Sequence, residues 1–162
     1  MNEVFLLTGG NLGNRQENLA RAKSLVEKNC GTILRCSALY ETAPWGKPDQ
    51  PYFLNQVLHL HTVLSPTELL KALLVIETEM GRVRGLKNDA RIIDIDILYY
   101  GQGVYQTEEL EIPHPRIRDR KFVLIPLHEL SPDFIDPKHQ LSIQEMLHSC
   151  TDTLEVTTFG DV

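Results

Sequence analysis

A chain of 162 residues, 42% of them hydrophobic and 23% charged, is long enough to bury the core of one domain and too short for two comfortable ones. Its formal charge of -6 argues against a general binder of nucleic acids or anionic membranes, both of which need a net basic surface. The basic residues are unevenly spread: Arg82, Arg84, Lys87 and Arg91 fall in one short segment and Arg116, Arg118, Arg120 and Lys121 in another, so eight of the 16 Lys and Arg form a local basic cluster suited to a small polyanion.

At the amino terminus Glu3 precedes a brief Val4-Phe5-Leu6-Leu7 run, which lacks the positive start and the apolar length of a signal peptide. No segment approaches the roughly 20 apolar residues that span a bilayer. Three cysteines, Cys30, Cys36 and Cys150, without Cys-x-x-Cys spacing, favour reduced thiols and a cytoplasmic location over a disulfide framework, with Cys36 as core filler.

Val4 to Thr8 predicts a buried strand, ended by Gly9-Gly10-Asn11-Leu12-Gly13, whose glycines permit a tight turn. Leu19, Ala22, Leu25 and Val26 then recur at helical spacing, and Asn29 with Gly31 supplies the stop. Thr32 to Tyr40 alternates, with Leu34, Cys36, Ala38 and Tyr40 on one face, and reads as a second strand. Thr42 to Pro51 holds three prolines and the only tryptophan, and so predicts an irregular loop of the kind that often carries function. Phe53 to Val63 predicts a third strand. Ser65-Pro66-Thr67-Glu68 is a capping box with proline at the first helical position, and Leu69, Leu70, Leu73, Ile76 and Met80 line the helix it starts. Gly81 ends that helix, the basic loop follows, and Ile92 to Tyr100 is a fourth strand. This order, β-α-β-β-α-β, is the ferredoxin-like plan of the α+β class, a sheet with both helices on one side. Everything after Tyr100 is an extension: Gly101 and Gly103 suggest a hairpin, Pro113-His114-Pro115 forces extended chain, and Asp119 to Leu130 and Ser142 to Ser149 predict helices. The second basic cluster lies in this extension and is expected to complete the site begun by the first, within a single domain covering 1–162.

The chemistry concentrates in Ile93-Asp94-Ile95-Asp96-Ile97. Side chains two apart on a strand share a face, so Asp94 and Asp96 project together while the isoleucines point inward. Two like charges so placed call for a cation, and Mg²⁺ suits one or two carboxylates completed by substrate phosphates. Arginines can then neutralise phosphate oxygens through bidentate bonds. The plainer reading is a solvated polar face on an edge strand. Trp45, Phe53 and Asn55 could sandwich and hydrogen-bond a flat heterocycle, or simply pack. His59 and His61 read as partly exposed strand residues rather than zinc ligands, and His114, held by prolines beside three arginines, as an imidazole donor to phosphate. No serine or cysteine sits in an elbow or beside a base, so covalent catalysis has no support.

Taken together in this order, Gly9-Gly10-Asn11-Leu12-Gly13, Tyr40-Glu41-Thr42-Ala43-Pro44, Gln50-Pro51-Tyr52-Phe53-Leu54-Asn55, Gly81-Arg82-Val83-Arg84, Arg91-Ile92-Ile93-Asp94-Ile95-Asp96-Ile97, Ile112-Pro113-His114-Pro115 and Arg120-Lys121-Phe122 resemble 6-hydroxymethyl-7,8-dihydropterin pyrophosphokinase over nearly the whole chain. That folate-pathway family moves pyrophosphate from ATP to a pterin alcohol. The resemblance implies that Asp94 and Asp96 bind two Mg²⁺ ions, and that Arg82 and Arg91 act with them as catalytic residues. It implies contacts to ATP from Arg84, Lys87, His114 and Arg120, with Glu77 and Ile97 nearer the nucleotide. It also implies that the pterin stacks between Phe53 and Phe122, its polar edge met by Asn55 and by the backbone of Thr42, Ala43, Pro44 and Trp45.

The chain departs from the family pattern in three places. Lys87-Asn88-Asp89-Ala90 replaces an Arg-Trp-Gly-Pro run before Arg91 and is one residue shorter across the loop; Lys87 keeps a charge there without the bidentate fork, and nothing replaces the tryptophan. Phe53 stands where tyrosine is common, and Glu109 where some members carry a basic residue. The expected partners are ATP and the pterin alone, with no nucleic acid or membrane, for a monomer. The rival readings are a ferredoxin-like sensor that binds nucleotide or pterin without turnover, an RNA-binding module, whose basic aromatic motif is missing here, and a metal-dependent nucleotide phosphatase.

Overall fold

The apolar run at the amino terminus lies in the interior of a sheet. β1 (Asn2–Gly10) pairs antiparallel with β4 (Phe53–Thr62) on one side and with β5 (Asp94–Tyr100) on the other. β4 also carries β2 (Thr32–Cys36) and β3 (Tyr40–Thr42), and β3 is extended by β8 (Val156–Thr158), giving the order β5-β1-β4-β3-β8 with β2 on β4. The computed structural model describes residues 1–44, 49–83 and 89–160.

Helices α1 (Arg15–Asn29) and α2 (Pro66–Glu79) cover one face of the sheet. Leu19, Ala22 and Val26 of α1 and Leu69, Leu73 and Ile76 of α2 pack against Val4, Leu6, Leu58, Leu60, Ile95 and Ile97, as the helical and strand spacings require. Ser65 opens α2 with the expected capping box, and Asn14 caps α1 through the Glu17 N–H. The ferredoxin-like α+β plan is therefore present.

The opposite face is not solvated. After a two-stranded ribbon of β6 (Tyr105–Gln106) and β7 (Glu111–Ile112), a 3₁₀ turn at Ile117–Asp119 leads into α3 (Lys121–Leu130), followed by α4 (Ile143–Ser149). These helices bury Phe5, Leu7, Val57, Leu98 and Tyr99 from below. β1 is consequently buried on both faces from Val4 onward, a continuous apolar run rather than an alternation.

Several local expectations change. The glycines at 9 and 10 make no turn: both lie in β1, where a side chain at Gly9 would strike the Asn55 carboxamide and one at Gly10 the Ile92 carbonyl. The turn falls at Gly13, in the left-handed region at φ 69°. The expected strand over 32–40 breaks after Cys36, because Ser37 turns inward to exchange bonds with Val57, accepting its N–H on Oγ and donating its own N–H to its carbonyl. A register shift between Ile33 and Arg35 leaves Leu34 43% exposed and seats Ile33 on the core instead. The hairpin expected at Gly101 and Gly103 is a turn there, with the ribbon lying further on between 105 and 112. Pro113 to Pro115 forms a bend leading into a turn rather than extended chain.

His59 is a correction of the same kind. It is buried at 6% exposure, its ring stacked on Phe5 at 4.5 Å beneath the second helical layer. Nδ1 faces the Arg35 guanidinium at 3.3 Å, which can only donate, so the Nε2–H points to Glu3 Oε1 at 2.8 Å. Burial lowers its pKa against the opposing pull of Glu3.

Candidate active site

β5 starts the site. Ile93, Ile95 and Ile97 sink into the core shared with α1 and α2, so Asp94 and Asp96 emerge on the other face, into a cleft lined by Leu7, Gly9, Thr42, Ala43, Phe53, Asn55, Arg91, Arg120 and Phe122. The space between these side chains, counted out to its open mouth, is about 580 Å³.

The charged wall is anchored from behind. Arg82, just past the end of α2, places Nη1 2.7 Å from Asp94 Oδ1 and 3.2 Å from Glu77 Oε1, and also reaches the Ile93 carbonyl. Glu77 is itself only 3% exposed and accepts the Ile95 N–H at 2.8 Å through Oε2, so one buried carboxylate fixes both the arginine and the strand. Burial opposes the charge on Arg82, but Asp94 and Glu77 outweigh it and raise its pKa. Arg91 approaches Asp94 Oδ2 at 3.2 Å and lies over the Phe53 ring at 5.2 Å.

Asp96 is held differently. Although 36% of its side chain is exposed, the cost of burial, followed by repulsion from Asp94 and Glu77, pushes its pKa up to about 7. His114 Nε2 stands 4.0 Å away. Burial and then Arg120 push the His114 pKa down to about 4, and its Nδ1 accepts the Arg116 N–H, so at neutral pH it presents a neutral Nε2–H donor toward the carboxylate.

This donor set fits Mg²⁺. Two carboxylates share one strand face, one of them reluctant to ionise without a cation, and among the described residues no group of three or more His, Cys, Asp and Glu could hold a metal alone. Such a pair suits a hard ion whose remaining ligands come from phosphate and water.

The aromatic wall comes from adjacent strands and from α3. Thr42 on β3 stands opposite Phe53 on β4, and Asn55 Nδ2 donates to Thr42 Oγ1 at 3.4 Å. Phe122, the second residue of α3, closes the cleft, with the Arg120 guanidinium 5.6 Å from its ring centroid.

A sequence model of the family 7,8-dihydro-6-hydroxymethylpterin-pyrophosphokinase matches residues 5–132. The chain belongs to this family. It is 38% identical over 146 residues to the 2-amino-4-hydroxy-6-hydroxymethyldihydropteridine pyrophosphokinase of Synechocystis sp., covering 88% of this chain and 74% of that protein. It is 44% identical over 134 residues to the mitochondrial folate synthesis bifunctional protein of Pisum sativum, covering 83% of this chain and 26% of that one. The chain spans about a fifth of the length of the folic acid synthesis proteins it matches, 20% to 22%. In fold it is similar to the crystal structure of wild-type Plasmodium falciparum HPPK-DHPS with pteroate, with a TM-score of 0.75, 18% identity, and coverage of 91% of this chain and 44% of that one.

Among the pyrophosphokinase residues expected from the sequence, Asp94, Asp96, Arg91, Arg120, Thr42, Ala43, Phe53, Asn55 and Phe122 converge on one cleft, with Arg82 and His114 against its carboxylates. Glu77 supports Arg82 and β5 from inside the protein, and the Ile97 side chain lies in the helical-side core; neither is in the cleft lining. Pro44 adjoins Ala43 but is likewise outside that lining. Trp45, Arg84 and Lys87 lie outside the described residues.

Asn11 is the residue that sequence reasoning passed over. Only 2% exposed, it accepts the Arg91 N–H on Oδ1 at 2.8 Å, donates its own N–H to the Arg91 carbonyl at 2.9 Å, and donates Nδ2–H to Gln50 Oε1 and the Pro51 carbonyl. It thus joins the segment carrying Arg91 to the loop before Phe53. The sequence holds only an Asn after Gly-Gly; its burial and its partners at Gln50, Pro51 and Arg91 come from folding.

Proposed function

We propose that the chain transfers pyrophosphate from ATP to the hydroxymethyl group of 6-hydroxymethyl-7,8-dihydropterin, forming AMP and the pterin diphosphate for folate biosynthesis. One observation carries this beyond family membership: a paired-carboxylate, arginine-rich wall and an aromatic-amide wall face the same cleft. Phosphate chemistry and a flat heterocycle are thereby served within one site.

In this reaction the acceptor oxygen forms a bond to the β-phosphorus in line as the bridge to the α-phosphate breaks, the hydroxyl loses its proton, and AMP departs. Asp94 and Asp96 would hold two Mg²⁺ ions, which when bound neutralise the phosphates and acidify the hydroxyl. The protein's own task is positioning and charge balance. Arg82 and Arg91, already gathered on Asp94, offer guanidinium donors to phosphate oxygens; His114 adds a neutral donor and Arg120 a further cation. Phe53 and Phe122 sandwich the pterin ring, and Asn55 reads its polar edge beside Thr42. The remaining nucleotide contacts fall to Arg84 and Lys87.

We read the chain as a single domain acting as a monomer in the cytoplasm. No helix among the described residues is long and apolar enough to cross a membrane. The test is incubation with ATP, Mg²⁺ and the reduced pterin while AMP and ADP are followed. AMP that depends on both pterin and metal, without ADP, is the expected result. ADP or free phosphate without pterin would point to a phosphatase, and binding without turnover to a sensor.

A further inference from the structure

The last described stretch of chain reaches both walls of the aromatic slot. Val156 of β8 stands opposite Thr42 of β3, which stands opposite Phe53 of β4, so three residues in line across the sheet end at the slot. Phe159 continues this edge: its N–H donates to the Leu39 carbonyl at 2.8 Å, and its ring lies 5.2 Å from the Arg15 guanidinium. Arg15 in turn bonds Glu41 of β3 at 2.6 Å and the Tyr52 carbonyl, next to Phe53, at 2.9 Å.

The same stretch holds the opposite wall. Asp152 Oδ2 accepts the N–H of Lys121, the first residue of α3, at 3.0 Å, while Oδ1 accepts the Leu154 N–H. The N-cap position of α3 is Arg120, whose side chain lines the cleft and makes no capping bond. A guanidinium has no acceptor and brings positive charge to the positive end of the helix dipole. The cleft's need for a cation at residue 120 therefore conflicts with the helix's need for an acceptor there. Asp152, 31 residues beyond Lys121, supplies both the missing acceptor and a negative charge.

We propose that residues 152–159 form a strap that sets the spacing of the Phe53 and Phe122 walls, with Asp152 the positioning residue for Phe122. This rests on the pterin reading of the slot. All of the strap lies beyond the residues 5–132 matched to the family model. It acts chiefly on the pterin side: the carboxylate wall is built on α2 and β5, and the phosphate-side group it touches is Arg120 at the start of α3.

The test measures KM for pterin and for ATP separately, with melting temperature, in the wild type, Asp152→Ala, Asp152→Asn and a chain stopped after Leu154. Asp152→Ala is expected to raise the pterin KM by about 5-fold, the scale of a lost helix cap, with a clearly smaller rise for ATP through Arg120. Asp152→Asn retains an acceptor for the Lys121 N–H and should return the pterin KM close to wild type. Stopping after Leu154 removes β8 and Phe159 and should produce the same split through the other wall. Equal rises for both substrates, a lower melting temperature with an unchanged pterin KM, or an Asn variant no better than Ala would each overturn the proposal. A wild type that makes no pterin-dependent AMP would fail the activity reading first, before any variant is compared, and the strap's role with it.

Discussion

The two walls of the cleft are held in place by different means. The charged wall is fixed by buried ion chemistry: Glu77 behind β5 grips both Arg82 and the Ile95 N–H, and Arg82 in turn grips Asp94. The aromatic wall depends on strand register and on contacts between distant parts of the chain, with Phe53 set by β4 opposite Thr42 and Phe122 by the start of α3 at Asp152. The core of the charged wall is thus compact in sequence, Glu77, Arg82, Arg91, Asp94 and Asp96, with His114 and Arg120 joining it from the extension, whereas the aromatic wall draws on residues from 42 to 159. Under the proposed function, the site can then lose polyphosphate binding without losing ring binding, or the reverse.

Replacing Asp94 with Ala separates the walls most sharply. Turnover should be abolished at saturating Mg²⁺ while the pterin still binds, which fluorescence titration of the pterin would show; near-wild-type turnover would refute the metal assignment. Glu77→Ala comes next, since it leaves Arg82 without its buried carboxylate partner and the Ile95 N–H without an acceptor. A loss of about 3 kcal/mol in unfolding free energy is expected by denaturant titration, the scale for breaking a buried ion pair. An unchanged midpoint would mean that the charged wall is not supported from behind.

Phe53→Ala should raise the pterin KM by about 10-fold, the upper scale of an aromatic stacking contact, with a much smaller effect on the ATP KM. A matching rise for ATP would show that the walls are not separable. The smallest effect is expected from His59, which lies away from both. Its folded pKa is lowered from 6.5, so on acidification the unfolded chain takes up a proton before the folded one does. Stability should therefore fall as pH drops below 6.5, and His59→Gln should flatten that part of the profile of melting temperature against pH. A wild-type slope retained in the variant would assign the loss to another group.

Periodicity and short motifs carried much of this protein's description. Ser65 and Glu68 announce α2, the alternation from Ile93 to Ile97 puts both aspartates on one face, and the succession of motifs places the chain in its family. These signals are local: a capping box needs two residues three apart and a strand face needs every second one. The readings that failed concern the opposite side of the sheet. His59 looked half-exposed because nothing near it in sequence shows that α3 and α4 will cover its face, and Gly9 and Gly10 looked like a turn because the groups they make room for, Asn55 and Ile92, are distant in sequence. Asn11 and Asp152 went unnoticed for the same reason. Each satisfies a backbone group brought to it only by folding, Arg91 for one and Lys121 for the other. Burial and hydrogen-bond satisfaction depend on what arrives from elsewhere in the chain, and that is settled by packing rather than by local pattern.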